Sequence, residues 1–315
     1  MNRSVYEDRI RGVIFGHAIE DALGLGTEFL SKKQVAAYYP GGLDNLTRIV
    51  RDDHRSRWAT GEWTDDTDQM LCILDSLLDL GELNIPDVAG RIYRWAVQGG
   101  RGIGRTVLAV ISARGFCAQP HSASEGFWRS AGCQQAANGG IMRTSLLGLW
   151  QNDSPEAVRA NAAAACRVTH FDPRCVASCV VLCLAIRSLL RKETGLDLLL
   201  EDLANIADEY DSRVREYLEK ALQPDIAALS LDENGIGYTL KALAAGIWAL
   251  IHPADYRDGI LAVIHEGGDA DTNAAIAGAV LGARFGFSGI PGEWVNGLLR
   301  GKELDSRVDR LIKML

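Results

Sequence analysis

No stretch of this chain runs unbroken by charge for long enough to cross a bilayer. The longest nearly apolar run is Cys175 to Ile186, twelve residues between Arg174 and Arg187, where a spanning helix needs roughly twenty. It suits a buried helix. The N-terminal MNRSVYEDRIRG leads into no unbroken apolar segment, because His17, Glu20 and Asp21 interrupt it, so no signal peptide and no membrane partner are expected. Excess positive charge is also missing: 33 Lys and Arg face 41 Asp and Glu, a net charge of −8. Such a chain has no general attraction for phosphate backbones, which argues against nucleic acid as its principal partner. Paired CxxC spacing is absent from the seven cysteines. Cys175, Cys179 and Cys183 recur every four residues, on one helix face, where thiols pack as small hydrophobes. A reducing, cytoplasmic setting is expected.

Strand alternation is scarce, and so are linkers, fixed-period repeats and composition shifts, so one domain over 1–315 is expected. Helical spacing is plentiful. From Leu203, apolar residues fall at Ile206, Tyr210, Val214, Leu218 and Leu222, the spacing of an amphipathic helix. Met70–Leu80 reads as a helix closed by Gly81, and Asp87–Val97 as another preceded by Pro86. Ser154-Pro155 and Pro173 mark helix starts. Leu240–Ile251 and Thr272–Phe285 are apolar nearly all round, so both are expected at the centre. Gly278, Gly282 and Gly286 recur at four-residue spacing, which permits close helix packing. Other glycines gather in loops, at Gly99–Gly104, Asn138-Gly139-Gly140 and Gly267-Gly268.

Two segments concentrate acid just before a predicted helix: Gly61-Glu62-Trp63-Thr64-Asp65-Asp66-Thr67-Asp68, and His265-Glu266-Gly267-Gly268-Asp269-Ala270-Asp271-Thr272-Asn273. Two readings stand. Asp and Thr cap helix N-termini, where the dipole favours negative charge. A single cap needs one residue, however, and crowded carboxylates repel unless a cation lies between them. Oxygen-only ligands suit a hard cation, magnesium or manganese. A calcium EF-hand fails, because the loop from Asp269 has Ala274 at its sixth position and Val280 at its twelfth. Zinc fails for want of Cys/His spacing around His265, a residue better read as packing at a helix end. GRGIGRTV follows no clear strand, which argues against a dinucleotide fingerprint.

At these residues the sequence resembles the ADP-ribosylglycohydrolase family. The resemblance runs over most of the chain: GVIFGHAIEDALGLGTEF, WTDDTDQM, GIGRTV, NGGIMR, the TH of VTHFDP, and GGDADTNAAIAGAVLGA. It implies an all-α, single compact multi-helix bundle with a dinuclear metal cleft holding two Mg2+ (or Mn2+). It implies Thr64, Asp65, Asp66, Asp269, Asp271 and Thr272 as the metal ligands. Glu28 matches a glutamate that the family often carries seven residues after the aspartate of its DALG-like segment, here Asp21. Gly102, Ile103, Gly104, Asn138, Gly139, Gly140, Arg143 and His170 match its substrate-binding loops. One departure is Glu20, where the family usually has glycine.

The activity implied is hydrolysis of the glycosidic bond between ADP-ribose and an acceptor. The partner is then an ADP-ribosylated protein or small molecule, with nucleic acid entering only as a modified substrate, and ADP-ribose is the product. Catalytic candidates are Glu28 and Asp66, either of which can serve as general base. Trp58, Trp63, Trp95, Phe127 and Trp128 are candidates to shape the acceptor pocket. The competing readings are a catalytically silent ADP-ribose-binding or structural relative and a metal-dependent phosphohydrolase, whose product would be phosphate.

Overall fold

Helix-period patterning becomes helix almost everywhere in the computed structural model, which describes residues 3–192 and 195–315. Among the described residues there are fifteen α-helices, and the β structure is one isolated bridge between Ala137 and Tyr238. In chain order the helices are α1 (Arg3–Gly24), α2 (Lys32–Tyr38), α3 (Asp65–Leu80), α4 (Ile85–Val97), α5 (Arg105–Ile111), α6 (Pro120–Ser130), α7 (Pro155–Arg167) and α8 (Pro173–Arg191). They continue as α9 (Leu196–Asp208), α10 (Arg213–Ala221), α11 (Thr239–Ile251), α12 (Tyr256–His265), α13 (Ala270–Phe285), α14 (Gly292–Gly297) and α15 (Gly301–Met314). The fold is all-α, as expected.

Local chemistry sets the ends. Ser154 accepts from the Ala157 N–H to cap α7, with Pro155 in the first turn. Asp172 caps α8 in the same way. Gly81 closes α3 in the left-handed conformation, φ 74°. The helix predicted from Leu203 to Leu222 is two helices, α9 and α10. The break spans Glu209 to Ser212, where the Asp211 carboxylate accepts from the Arg213 N–H and competes with helix continuation. Gly286 lies beyond α13 and ends it, so only Gly278 and Gly282 of the glycine series sit within the helix.

α13 is buried from Ala270 to Ala283, and α1 from Gly12 to Gly24. The two run side by side, backbone against backbone. A methyl group at Gly12 or Gly282 would overlap the other's main chain, and the same holds for Gly16 and Gly278. Small residues therefore allow dispersion contact along the whole seam. α8 and α11 pack around α13. By length and composition alone α8 is a candidate membrane span, longer than the apolar run suggests, yet most of it is buried inside the protein. Cys175, Cys179 and Cys183 are buried and free, as expected of a packing face. The seam aligns the C-terminal end of α1, which carries Asp21, with the N-terminal end of α13. α3 starts against the same point.

Candidate active site

The site begins with Asp21, a carboxylate near the end of α1. It accepts from the backbone N–H of Thr64 and of Thr67 and from both their hydroxyls, at 2.6–3.1 Å. Thr64 in turn accepts from the Asp66 N–H. The first amides of α3 are thus satisfied by Asp21 and Thr64, and capping does not account for Asp65 and Asp66. At α13 the N-cap residue is Asp269, yet its side chain makes no cap hydrogen bond. It accepts instead from Asn138 Nδ2 at 2.6 Å. Asp271 accepts from the Thr272 N–H.

The acids converge across some two hundred residues of sequence. One carboxylate oxygen from each of Glu28, Asp269 and Asp271 lies within 4.8 Å of the other two. Asp66 faces them and has a buried oxygen, Oδ2, with no hydrogen-bond partner. Burial first, then repulsion from neighbouring carboxylates, pushes the Asp65, Asp66 and Asp271 carboxyls well above their ordinary range. Burial and Glu28 raise Asp269 to about 6. Crowded acids without an internal cation, one of them orphaned, fit a hard divalent ion. Oxygen is the only donor type in the group.

Glu28 sits on the turn after α1. Arg55, buried, donates Nε to the Gly26 carbonyl at 2.7 Å and Nη2 to the Glu28 carbonyl at 2.6 Å. The next residue, Phe29, donates its N–H to the Gly268 carbonyl, and Gly268 donates to the Leu30 carbonyl. The Glu28 turn is thereby sewn to the loop that delivers Asp269. His54 Nε2 lies 2.7 Å from Glu28 Oε2.

These acids form one end of a cavity of about 800 Å³. Glu28, Asp65, Asp66, Asp269, Asp271 and Thr272 line it, as do Gly102, Ile103, Gly104, Asn138, Gly139 and His170. Gly102 has φ +86°, and a side chain there would collide with Asp65 Oδ1, so only glycine lets this loop ride over the carboxylate. Thr64 lies behind the wall, buried, its hydroxyl given to Asp21 and 3.5 Å from Asp271 Oδ2. Gly140 is also behind it, against Cys166 and His170.

Arg143 is a second expected ligand contact, after Gly140, that the structure does not bring to the cavity. It is fully buried, and its guanidinium donates to Gln69, Thr169 and the Ala165 carbonyl. Its interior partners hold it under the floor. Above it His170 is buried, with Nδ1 against the Thr169 hydroxyl and Nε2 unpartnered. Burial, reinforced by Arg143, lowers its pKa to about 3. Glu20, the departure noted above, is turned away from the cavity, against Gly278 and the Tyr256 hydroxyl, and burial keeps its carboxyl well above the usual range. Of the aromatics proposed for the acceptor pocket, Phe127 lines this cavity and Trp58 an adjoining one. Trp63 and Trp95 instead donate their indole N–H groups to Asp68, and Trp128 donates to Asp172.

Sequence reading missed His54, Arg55 and the supporting role of Asp21. The adjacent acids Glu20 and Asp21, set among the apolar residues of the second half of α1, were the available signal for Asp21. Nothing local marks His54 or Arg55, which lie on an irregular charged loop.

Comparison with known proteins agrees with this architecture. The ADP-ribosylglycohydrolase family model matches residues 2–315. ADP-ribosylarginine hydrolase Tri1 of Serratia proteamaculans is 26% identical, over 98% of this chain and 80% of that one. The ADP-ribosyl-[dinitrogen reductase] glycohydrolase of Rhodospirillum rubrum is 25% identical, over 97% and 93%. A solved ADP-ribosylglycohydrolase-related protein complex superposes with a TM-score of 0.79 at 27% identity, covering 99% of both chains. With a family model spanning nearly the whole sequence and a full-length structural counterpart, this chain belongs to the ADP-ribosylglycohydrolase family.

Proposed function

We propose that this protein hydrolyses the glycosidic bond linking ADP-ribose to an acceptor, with two divalent cations, magnesium or manganese, held by Thr64, Asp65, Asp66, Asp269, Asp271 and Thr272. The observation that carries this reading is the buried convergence of Glu28, Asp269 and Asp271, with the unpartnered Asp66 oxygen opposite, at the end of a long cavity. When bound, such ions supply fixed positive charge that orients ribose hydroxyls and polarises water.

The chain's own residues do the rest. The glycine loops at 102–104 and 138–139 let backbone approach the ligand closely. His170, kept neutral by burial, backs the second of these loops, its ring packed under Gly139. The carboxylates surrounding the anomeric carbon favour the oxocarbenium-like charge that develops as the acceptor leaves. Glu28 or Asp66 accepts the proton of the attacking water. His54, hydrogen-bonded to Glu28, fixes the orientation of that carboxylate.

The test is ADP-ribose release by purified Asp65→Asn and Asp271→Asn with magnesium or manganese present. Each is expected to lose at least ~100-fold in turnover, since even residues supporting a metal ligand are worth 10- to 100-fold. Wild-type turnover in both would overturn the dinuclear reading. Binding of ADP-ribose without its release by the wild type would instead mark a silent relative.

A further inference from the structure

The carboxylates border a second chamber. It measures about 310 Å³ and opens beside the larger one. Glu28, Phe29, Asp65, Gly102, Ile103 and Asp271 belong to both. The remaining wall of the smaller chamber is formed by His54, Arg57, Trp58, Gly100 and Arg101. On the functional reading above, on which this inference rests, the bond to be cut lies over the carboxylates, at the boundary between the two spaces. Substrate on one side of that bond is ADP-ribose, and only the larger chamber is of a size for it. The acceptor must then lie in the smaller one.

The smaller chamber has a marked electrostatic character. The ring of Trp58 is flanked by two guanidinium groups, Arg57 at 4.9 Å and Arg101 at 5.6 Å from its centroid. Arg101 is paired with Glu62. Among the described residues no carboxylate pairs with Arg57. On the opposite side Glu28 is engaged by His54, and Asp65 and Asp271 are committed to the cations in the proposed mechanism. A guanidinium acceptor would therefore meet a tryptophan already stacked by arginine, and like charge beside it. A carboxylate near the linkage would meet an unpaired guanidinium.

We propose that the Arg57–Trp58–Arg101 wall is an acceptor-side specificity element that favours an acceptor bearing negative charge next to the ADP-ribosylated atom and disfavours arginine. The experiment compares three peptides, all releasing ADP-ribose on hydrolysis: one ADP-ribosylated on serine beside glutamate, one on serine beside lysine, and one on arginine. kcat/KM is measured by mass spectrometry for the wild type and for Arg57→Glu. The wild type should prefer the glutamate-flanked serine over the lysine-flanked one by about tenfold, the size of one well-placed charge contact. That preference should shrink as salt rises and reverse in Arg57→Glu. Calorimetry with ADP-ribose identifies any variant that has failed to fold, in which case Arg57→Gln takes its place and should abolish the preference. Fastest turnover of the arginine-linked peptide, or a preference unmoved by either Arg57 substitution, overturns the proposal. Absence of ADP-ribose release from all three peptides by the wild type with metal present overturns the hydrolase reading itself, a distinguishable result.

Discussion

The start of α3, Thr64-Asp65-Asp66-Thr67, and the start of α13, Asp269-Ala270-Asp271-Thr272, carry nearly the same residues but are held by different means. At α3, a buried carboxylate from another helix, Asp21, takes two backbone N–H groups and two hydroxyls, so the acids are relieved of capping. At α13, among the described residues, no buried carboxylate from another helix takes that part. The loop before it is fixed through backbone bonds from Gly268 to the Glu28 turn, and Asp269 leans on Asn138. One acid-rich helix start thus depends on a single side chain with many bonds, and the other on a distributed set of single bonds. Damage at one residue should therefore be far more harmful on the α3 side.

Both sides share a reference, the α1–α13 seam, and removing it should have the largest effect. Gly282→Val puts a branched side chain into the main chain of Gly12. The loss should exceed about 4 kcal/mol, in the range where buried overlap prevents folding, and thermal melting should show no cooperative native transition. A native melt would mean the helices can separate without consequence.

Next in size is Asp21→Ala, which breaks the α3 side alone. It leaves the amides and hydroxyls of Thr64 and Thr67 buried without their acceptor, a loss of roughly 3 kcal/mol, and turnover should drop at least ~100-fold as Asp65 and Asp66 lose their register. Urea denaturation and ADP-ribose release measure the two. A stability change below ~1 kcal/mol would show that the α3 start holds itself, erasing the contrast.

Acid tests the α13 side. His170 lies against Gly139, next to Asn138; a methyl at Gly139 would come within 2.8 Å of its ring. Its pKa is lowered from 6.5 to about 3. The folded protein therefore refuses a proton that the unfolded chain accepts below pH 6.5, and stability falls as pH drops from there toward 3. By pH 5 this one group removes about 2 kcal/mol. Comparing wild type with His170→Gln by denaturant titration at pH 7.5 and pH 5 isolates the contribution, since the variant lacks that slope. Identical slopes would mean His170 is protonated in the fold.

The smallest effect expected is Asn138→Ala. It removes one hydrogen bond to Asp269, worth about 1 kcal/mol, and should lower turnover about tenfold while leaving α13 in place. A loss equal to that of Asp21→Ala would abolish the asymmetry between the two helix starts.

Much of this arrangement was legible beforehand. The helix ends at Ser154, Pro173 and Gly81 were readable because capping and proline chemistry act within a few residues. The acids of both helix starts stood out for the same reason. The split between α9 and α10 was hidden because the apolar spacing continues through the break, where the Asp211 carboxylate takes the Arg213 N–H. Arg143 looked like a ligand contact from its motif neighbours, but its direction depends on Gln69 and Thr169, residues far away in sequence. His54 and Arg55 had no local signature.

By itself, the sequence determined that the chain is helical, where several of its helices begin or end, and that it bears two acid clusters of one hard-ligand chemistry. These follow from short-range periodicity, capping and donor type. Only the tertiary structure decided that Glu28, Asp66, Asp269 and Asp271 meet, that Asp21 frees the α3 acids from capping, that Arg143 lies beneath the site, and that a second chamber with an arginine-flanked tryptophan adjoins it. Convergence depends on how helices pack, and here it depends on glycines of α1 and α13 allowing two backbones to touch, a property of paired surfaces that no single segment carries.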